Sequence, residues 1–128
     1  MTFLLKRLAA ITLLSACAIF ARAEADGAWL NKVPAKEHDK ANPYRNQAEA
    51  QIAGGRIFAE HCAQCHGKQA QGDKKHPSLH SDRVQQQATE GDLHWLLVNG
   101  YMSRGMPSWS KLGNPQIWQV ITYIKSLH

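Results

Sequence analysis

Apolar residues recur at helical spacing in three stretches of the chain, and no stretch alternates as a half-buried strand would. The clearest is QIWQVITYIKSL (116–127), which lines up Ile117, Val120, Ile121, Ile124 and Leu127 on one stripe. Asn114 is a good N-cap for it, and Pro115 suits the first helical position. A second helix is expected over AEAQIAGGRIFAEHC (48–62), with Ala48, Ile52, Ile57, Phe58 and the cysteines on a broad face. Gly54 and Gly55 each cost that helix about 1 kcal/mol relative to alanine, which points to close packing there. The third runs through Leu93, Trp95, Leu96 and Leu97. Thr89 and Asp92 resemble a capping box at its start, and Gly100 follows Asn99 at its end. The intervening segments 67–80 and 99–109 carry glycine and proline and read as loops. The pattern is that of an all-α domain.

The N-terminus departs from this pattern. Lys6 and Arg7 precede an apolar run, Leu8 to Phe20, which is shorter than the ~20 residues of a membrane-spanning helix. Ala21-Arg22-Ala23 offers small residues where a signal peptidase reads, so residues 1–23 are expected to be a signal peptide. Cleavage after Ala25 is the near alternative. Leu14-Ser15-Ala16-Cys17 also matches a bacterial lipobox, with the signal then ending before Cys17, although apolar Ala18-Ile19-Phe20 follows it. On either reading the protein is exported, to the periplasm, and it meets a membrane only if Cys17 is lipidated or the signal stays uncleaved. Residues 24–45 are expected to form a linker or strap in which Trp29 docks, and residues 46–128 the domain proper.

Cleavage changes the charge and the cysteine count. The full chain has 128 residues, 15 Lys and Arg against 10 Asp and Glu, and a formal charge of +5. Removing Lys6, Arg7 and Arg22 leaves 12 against 10, and nucleic-acid binding loses its support. Of the 3 cysteines, Cys62 and Cys65 remain.

Those two stand in EHCAQCHGK (60–68), with His66 directly after the second. Structural zinc wants four ligands and an iron–sulfur cluster normally four cysteines, so two thiols satisfy neither. A redox Cys-x-x-Cys pair sits in a βαβ context that is missing here, and it gives His66 no role. Covalent haem attachment uses all three residues: two thioethers to the vinyl groups from Cys62 and Cys65, and His66 as an axial ligand of the iron.

With these residues, the chain resembles the class I c-type cytochromes over residues ~46–128. The resemblance implies a small cytochrome c fold, about three to four helices around one covalently bound haem c. It implies that Gly54, four residues before Phe58, lets the last helix cross closely at Val120 and Tyr123. It makes Met106, followed by Pro107, the distal ligand in preference to Met102 or His94. It makes the carbonyl of Pro77, in Pro77-Ser78-Leu79, the acceptor for the Nδ1–H of His66, with Leu79 packing on the ring. Family members often have glycine before that proline, where this chain has His76. His76 and His80 read as solvated neighbours rather than ligands. Trp109 either donates its indole N–H to a haem propionate or packs.

Two filled axial positions imply an electron carrier rather than an enzyme. Gly105-Met106-Pro107-Ser108-Trp109 is similar to cytochromes that accompany periplasmic quinoprotein dehydrogenases. That implies such a dehydrogenase as donor and a terminal oxidase as acceptor, with Lys68, Lys74, Lys75, Arg83, Arg104 and Lys111 steering the docking. The alternatives are a haem enzyme or ligand-binding protein with an open distal site, and an electron-transfer subunit of a larger dehydrogenase complex.

Overall fold

A computed structural model describes residues 27–128. The signal peptide, its cleavage sites and Cys17 lie outside the described residues. The chain divides into two compact units, the first ending at Asn31 and the second running from Lys32 to His128. The described part of the first is residues 27–31, in which Trp29 is buried.

The second unit is helical. It contains α1 (Ala35–His38), α2 (Ala48–His61), α3 (Ala63–His66), a π-helical turn (Arg83–Gln87), α4 (Glu90–Asn99) and α5 (Asn114–Lys125). Short 3-10 turns, Met102–Arg104 and Ser110–Leu112, interrupt the connection from α4 to α5. No helix among the described residues is long and apolar enough to cross a membrane. The fold is the all-α arrangement that the pattern called for.

Helices α2 and α5 form the central pair, and Gly54 is where they touch. A Cβ on Gly54 would stand 2.0 Å from the carbonyl oxygen of Gln119 and 2.9 Å from the Cβ of Tyr123. Four residues on, the Phe58 ring lies 5.3 Å from the Tyr123 ring, and Phe58, Val120 and Ile121 are all but inaccessible. This close approach moves the buried face of α2. It is Ala50, Gly54 and Phe58, spaced by four, rather than the wider face expected from sequence. Ile52 is 59% exposed, because the crossing at Gly54 turns it away from α5.

The start of α4 is capped as expected. Thr89 Oγ accepts from the Asp92 N–H (3.1 Å), and Asp92 Oδ2 accepts from the Thr89 N–H (2.8 Å). The start of α5 differs from expectation. Gly113 occupies the cap, Pro115 falls in the first turn, and the Asn114 side chain caps nothing. Its Oδ1 is bonded instead to His94 Nε2 at 2.6 Å. The π-helical turn left no periodic trace in the sequence. Its carbonyl end is closed from a distance by Lys125, whose ammonium donates to the carbonyls of Val84, Gln85 and Ala88 at 2.8–2.9 Å. Burial lowers the pKa of that amine.

Residues 33–45 form a strap bound to the helices by polar contacts. Asn42 Nδ2 donates to Glu90 Oε1 (2.9 Å) and Thr122 Oγ (3.0 Å), while Asn42 Oδ1 accepts from the Tyr44 N–H (2.9 Å). Thr122 passes its own proton to the carbonyl of Trp118 (3.0 Å). The Arg45 guanidinium pairs with the other oxygen of Glu90. Asp92 Oδ1, buried and without a well-directed hydrogen bond, meets the imidazole of His38. A Cβ on Gly91 would stand 1.9 Å from the carbonyl oxygen of Glu37, so the strap lies directly on α4. Asn42, Glu90 and Thr122 are all buried, so their hydrogen bonds must be complete to avoid a desolvation cost.

Two substitutions test this packing. Gly54→Ala forces backbone apart at the α2–α5 crossing and lowers stability by about 1–3 kcal/mol, a typical overpacking cost. Thermal unfolding reads this as a fall of roughly 4–8 °C per kcal/mol for a domain of this size. Asn42→Ala strands the groups it satisfied and costs about 1–3 kcal/mol, and the strap becomes the first segment cut in limited proteolysis.

Candidate haem site

The end of α2 carries the motif. Cys62 stands at the joint between α2 and α3, and its N–H donates to the Phe58 carbonyl at 2.8 Å. Its own carbonyl accepts from the N–H groups of Cys65 (3.2 Å) and His66 (2.9 Å), winding the motif into one turn. Gly67, at φ +87°, stops the helix directly after His66. Cys62 and Cys65 are not joined in a disulfide, and Cys62 is half-buried and Cys65 exposed. Burial pushes the Cys62 thiol up to about 11, and the neighbouring Cys65 adds to the shift.

His66 Nδ1 lies 3.0 Å from the carbonyl oxygen of Pro77. A carbonyl can only accept, so Nδ1 carries the proton and the lone pair is left on Nε2. The loop between these residues is closed by bonds of its own. The Gly72 N–H donates to the His66 carbonyl (2.7 Å), and the Leu79 N–H donates to the Ala70 carbonyl (2.9 Å). Asp73 Oδ1 accepts from the N–H groups of Lys75 (2.7 Å) and His76 (2.8 Å). The His76 ring and these two N–H groups hold the Asp73 carboxyl down to about 2. His76, standing where family members often have glycine, needs no positive φ; among residues 67–76 that conformation falls on Gly67, Ala70 and Gly72. Asp73 was not singled out from sequence, although the Asp-x-x-His spacing of a side-chain-closed turn was there to find.

The remaining histidines are engaged elsewhere. His94 is buried, stacked on Trp118 with centroids 4.1 Å apart, and bonded to Asn114. It is a satisfied core residue. His80 has one ring nitrogen 2.7 Å from the Leu127 carbonyl and the other 2.7 Å from the Gln69 carbonyl. The ring of His76 lies 6.5 Å from that of His66 but is bonded to Asp73.

Met106 and Trp109 stand on the loop that follows α4. Met106 is half-buried and pairs with Tyr101 in an isolated antiparallel bridge. Met102 is 71% exposed. The half-buried ring of Trp109 lies 5.5 Å from that of His61, near the end of α2.

The donor set suits haem and little else. Among the described residues no three His, Cys, Asp or Glu side chains form a group that could hold a metal ion directly. Two thiols on one turn, an imidazole with its Nε2 lone pair unspent, and a half-buried thioether on a separate loop fit a porphyrin iron.

Comparison with known proteins agrees. Residues 49–124 match the family described as cytochrome c oxidase, cbb3-type, subunit III. Over 80 residues the chain is 31% identical to the cbb3-type cytochrome c oxidase subunit CcoP of Rubrivivax gelatinosus, a match covering 62% of this chain and 26% of that protein. The chain thus spans about a quarter of the relative it matches. No solved structure matches it. With most of the helical unit inside the match, the chain belongs to the cbb3-type cytochrome c oxidase subunit III family, and its cofactor is covalently bound haem c.

Proposed function

We propose that this chain is an exported one-electron carrier in which Cys62 and Cys65 hold the haem through thioethers and His66 and Met106 are its axial ligands. The observation that carries the reading is the contact between His66 Nδ1 and the Pro77 carbonyl. It fixes the tautomer, leaves Nε2 for the iron and makes the imidazole a stronger donor. The Asp73 turn and the Gly72–His66 bond keep that carbonyl in place. Bound haem supplies a reversible one-electron change at iron. The Met106 thioether, held by the iron together with His66, would favour the ferrous state and would leave small molecules no open position. Leu79 and Trp109 complete the surroundings in this reading.

Export rests on the pattern of residues 1–23, and a linker or strap at 24–45 followed by a cytochrome domain at 46–128 is the organisation we favour. A terminal oxidase as acceptor is supported by the family and by the relative, itself a subunit of such an oxidase. A quinoprotein dehydrogenase as donor rests on the Gly105–Trp109 stretch alone. The basic residues of the loops give a docking face its steering charge.

Two experiments test the reading. Mass spectrometry of the exported product finds one haem added across a peptide holding both Cys62 and Cys65; an unmodified peptide refutes attachment. In ferric protein, Met106→Ala abolishes the thioether-to-iron charge-transfer band, lowers the reduction potential and admits cyanide, whereas Met102→Ala leaves all three unchanged. The chain before attachment has its own signature. Because the folded Cys62 holds its proton up to about 11, against an ordinary thiol value of 9.0, it stays a thiol at neutral pH. Iodoacetamide then labels Cys65 first, and the Cys62 rate climbs only as pH rises toward 11.

A further inference from the structure

We propose that Gly100 and Tyr101 are positioning residues for the thioether ligand: the strand pairing at the end of α4, and not the Met-Pro sequence alone, sets where Met106 stands. This rests on Met106 being the axial ligand.

The loop is closed by backbone contacts on both sides of Met106. The Tyr101 N–H donates to the Met106 carbonyl (2.7 Å), and the Met106 N–H donates to the Tyr101 carbonyl (3.2 Å). Both backbone groups of Met106 are therefore spent on one residue. Beyond the bridge, Ser108 Oγ donates to the Val98 carbonyl (2.6 Å) and the Trp109 N–H to the Leu97 carbonyl (2.7 Å), which pins the returning chain to the last turn of α4. Pro107 fixes the φ angle next to Met106.

This pairing is possible because residue 100 is glycine. Gly100 has φ +71° and ψ −177°, a region that side chains rarely enter. A Cβ there would stand 2.6 Å from Ser108 N, 2.7 Å from Pro107 C and 2.9 Å from Met106 O. All three are backbone atoms, so no side chain can swing aside to make room. Any substitution at 100 must push the 106–108 segment away from α4 and move the Met106 backbone with it.

Tyr101 is also tied to the start of the second unit. The Lys32 ammonium stands 4.8 Å from the centre of the Tyr101 ring, within the range of a cation–π contact. The N-terminal edge of the second unit is thus joined to the ligand loop through one aromatic ring. The contact is modest, and Lys32 adjusts a position that Gly100 and Tyr101 establish.

A held loop resists displacement of its thioether by an outside base, and a loosened one yields. The test uses the haem-loaded full chain and imidazole as the competing base. Its dissociation constant is read from the visible spectrum, beside the ferric thioether band, the reduction potential and the melting temperature. Gly100→Ala is expected to bind imidazole at least about 5-fold more tightly, the low end for an overpacked backbone contact. Tyr101→Leu keeps the backbone pairing but loses the ring under Lys32, so it and Lys32→Ala each tighten imidazole binding about 2-fold, in keeping with an exposed cation–π pair, while Tyr101→Phe behaves as the parent. A purely structural role would change the melting temperature and leave imidazole affinity and potential alone. If Gly100→Ala does not accumulate as a haem protein, the contrast between Tyr101→Leu and Tyr101→Phe decides. Parent-like imidazole binding in both Gly100→Ala and Tyr101→Leu overturns the proposal. A parent without the thioether band overturns the axial assignment itself, and the positioning proposal with it, so the two failures are told apart in the unmutated protein.

Discussion

A methyl group at residue 54 would stand 2.0 Å from the carbonyl oxygen of Gln119, and the helical unit is organised around the absence of that methyl. The crossing of α2 on α5 is set by backbone against backbone, which leaves little freedom in angle or register. Phe58 and Tyr123 then close one side of the contact, with their rings 5.3 Å apart. Because Cys62 follows Phe58 by four residues and bonds back to its carbonyl, the attachment turn inherits its place from this crossing. A glycine that weakens its own helix thereby fixes the element that carries the chemistry.

The outer parts are held by polar contacts rather than by a deep apolar core, as suits a small domain that buries a limited share of its surface. Glu90 joins the strap to α4, receiving Asn42 on one oxygen and Arg45 on the other. Asp92 serves two partners, capping α4 at Thr89 with one oxygen and meeting His38 with the other. Lys125 closes the π-helical turn from α5. Glu90 and Lys125 are charged side chains with their bonding capacity used, the condition under which burial is tolerated, while Asp92 Oδ1 has only the His38 imidazole beside it.

The two loops that flank the proposed haem share a design. The loop after α3 is closed by Asp73 and by the Gly72–His66 bond, which hold the Pro77 carbonyl against His66. The loop after α4 is closed by the exchange between Tyr101 and Met106. In both, local hydrogen bonds rather than apolar burial hold the loop, so the domain can present polar, exposed loops without losing the placement of His66 and Met106. Such preorganisation suits electron transfer, in which the surroundings of the iron must change little between oxidation states.

Much of this was legible in the chain itself. The cysteine–histidine spacing announced covalent haem, because few other chemistries use two thiols and an imidazole in one turn. The apolar stripe of 116–127, the Thr89–Asp92 box and the stop at Gly100 marked α4 and α5, because these signals are local and act within a few residues. Pro77-Ser78-Leu79 led to the His66 contact through family resemblance. The exposure of Ile52, the attachment of Asn114 to His94, the reach of Lys125 and the Glu90 network were not legible. Each depends on which distant backbone arrives alongside, and that is known only once α2 and α5 have crossed. Sequence by itself determined the chemistry of attachment and the kind of elements, since covalent spacing and helical period are properties of neighbouring residues. Tertiary structure alone decided which faces are buried and which carbonyls each polar side chain meets, since those are contacts between segments tens of residues apart.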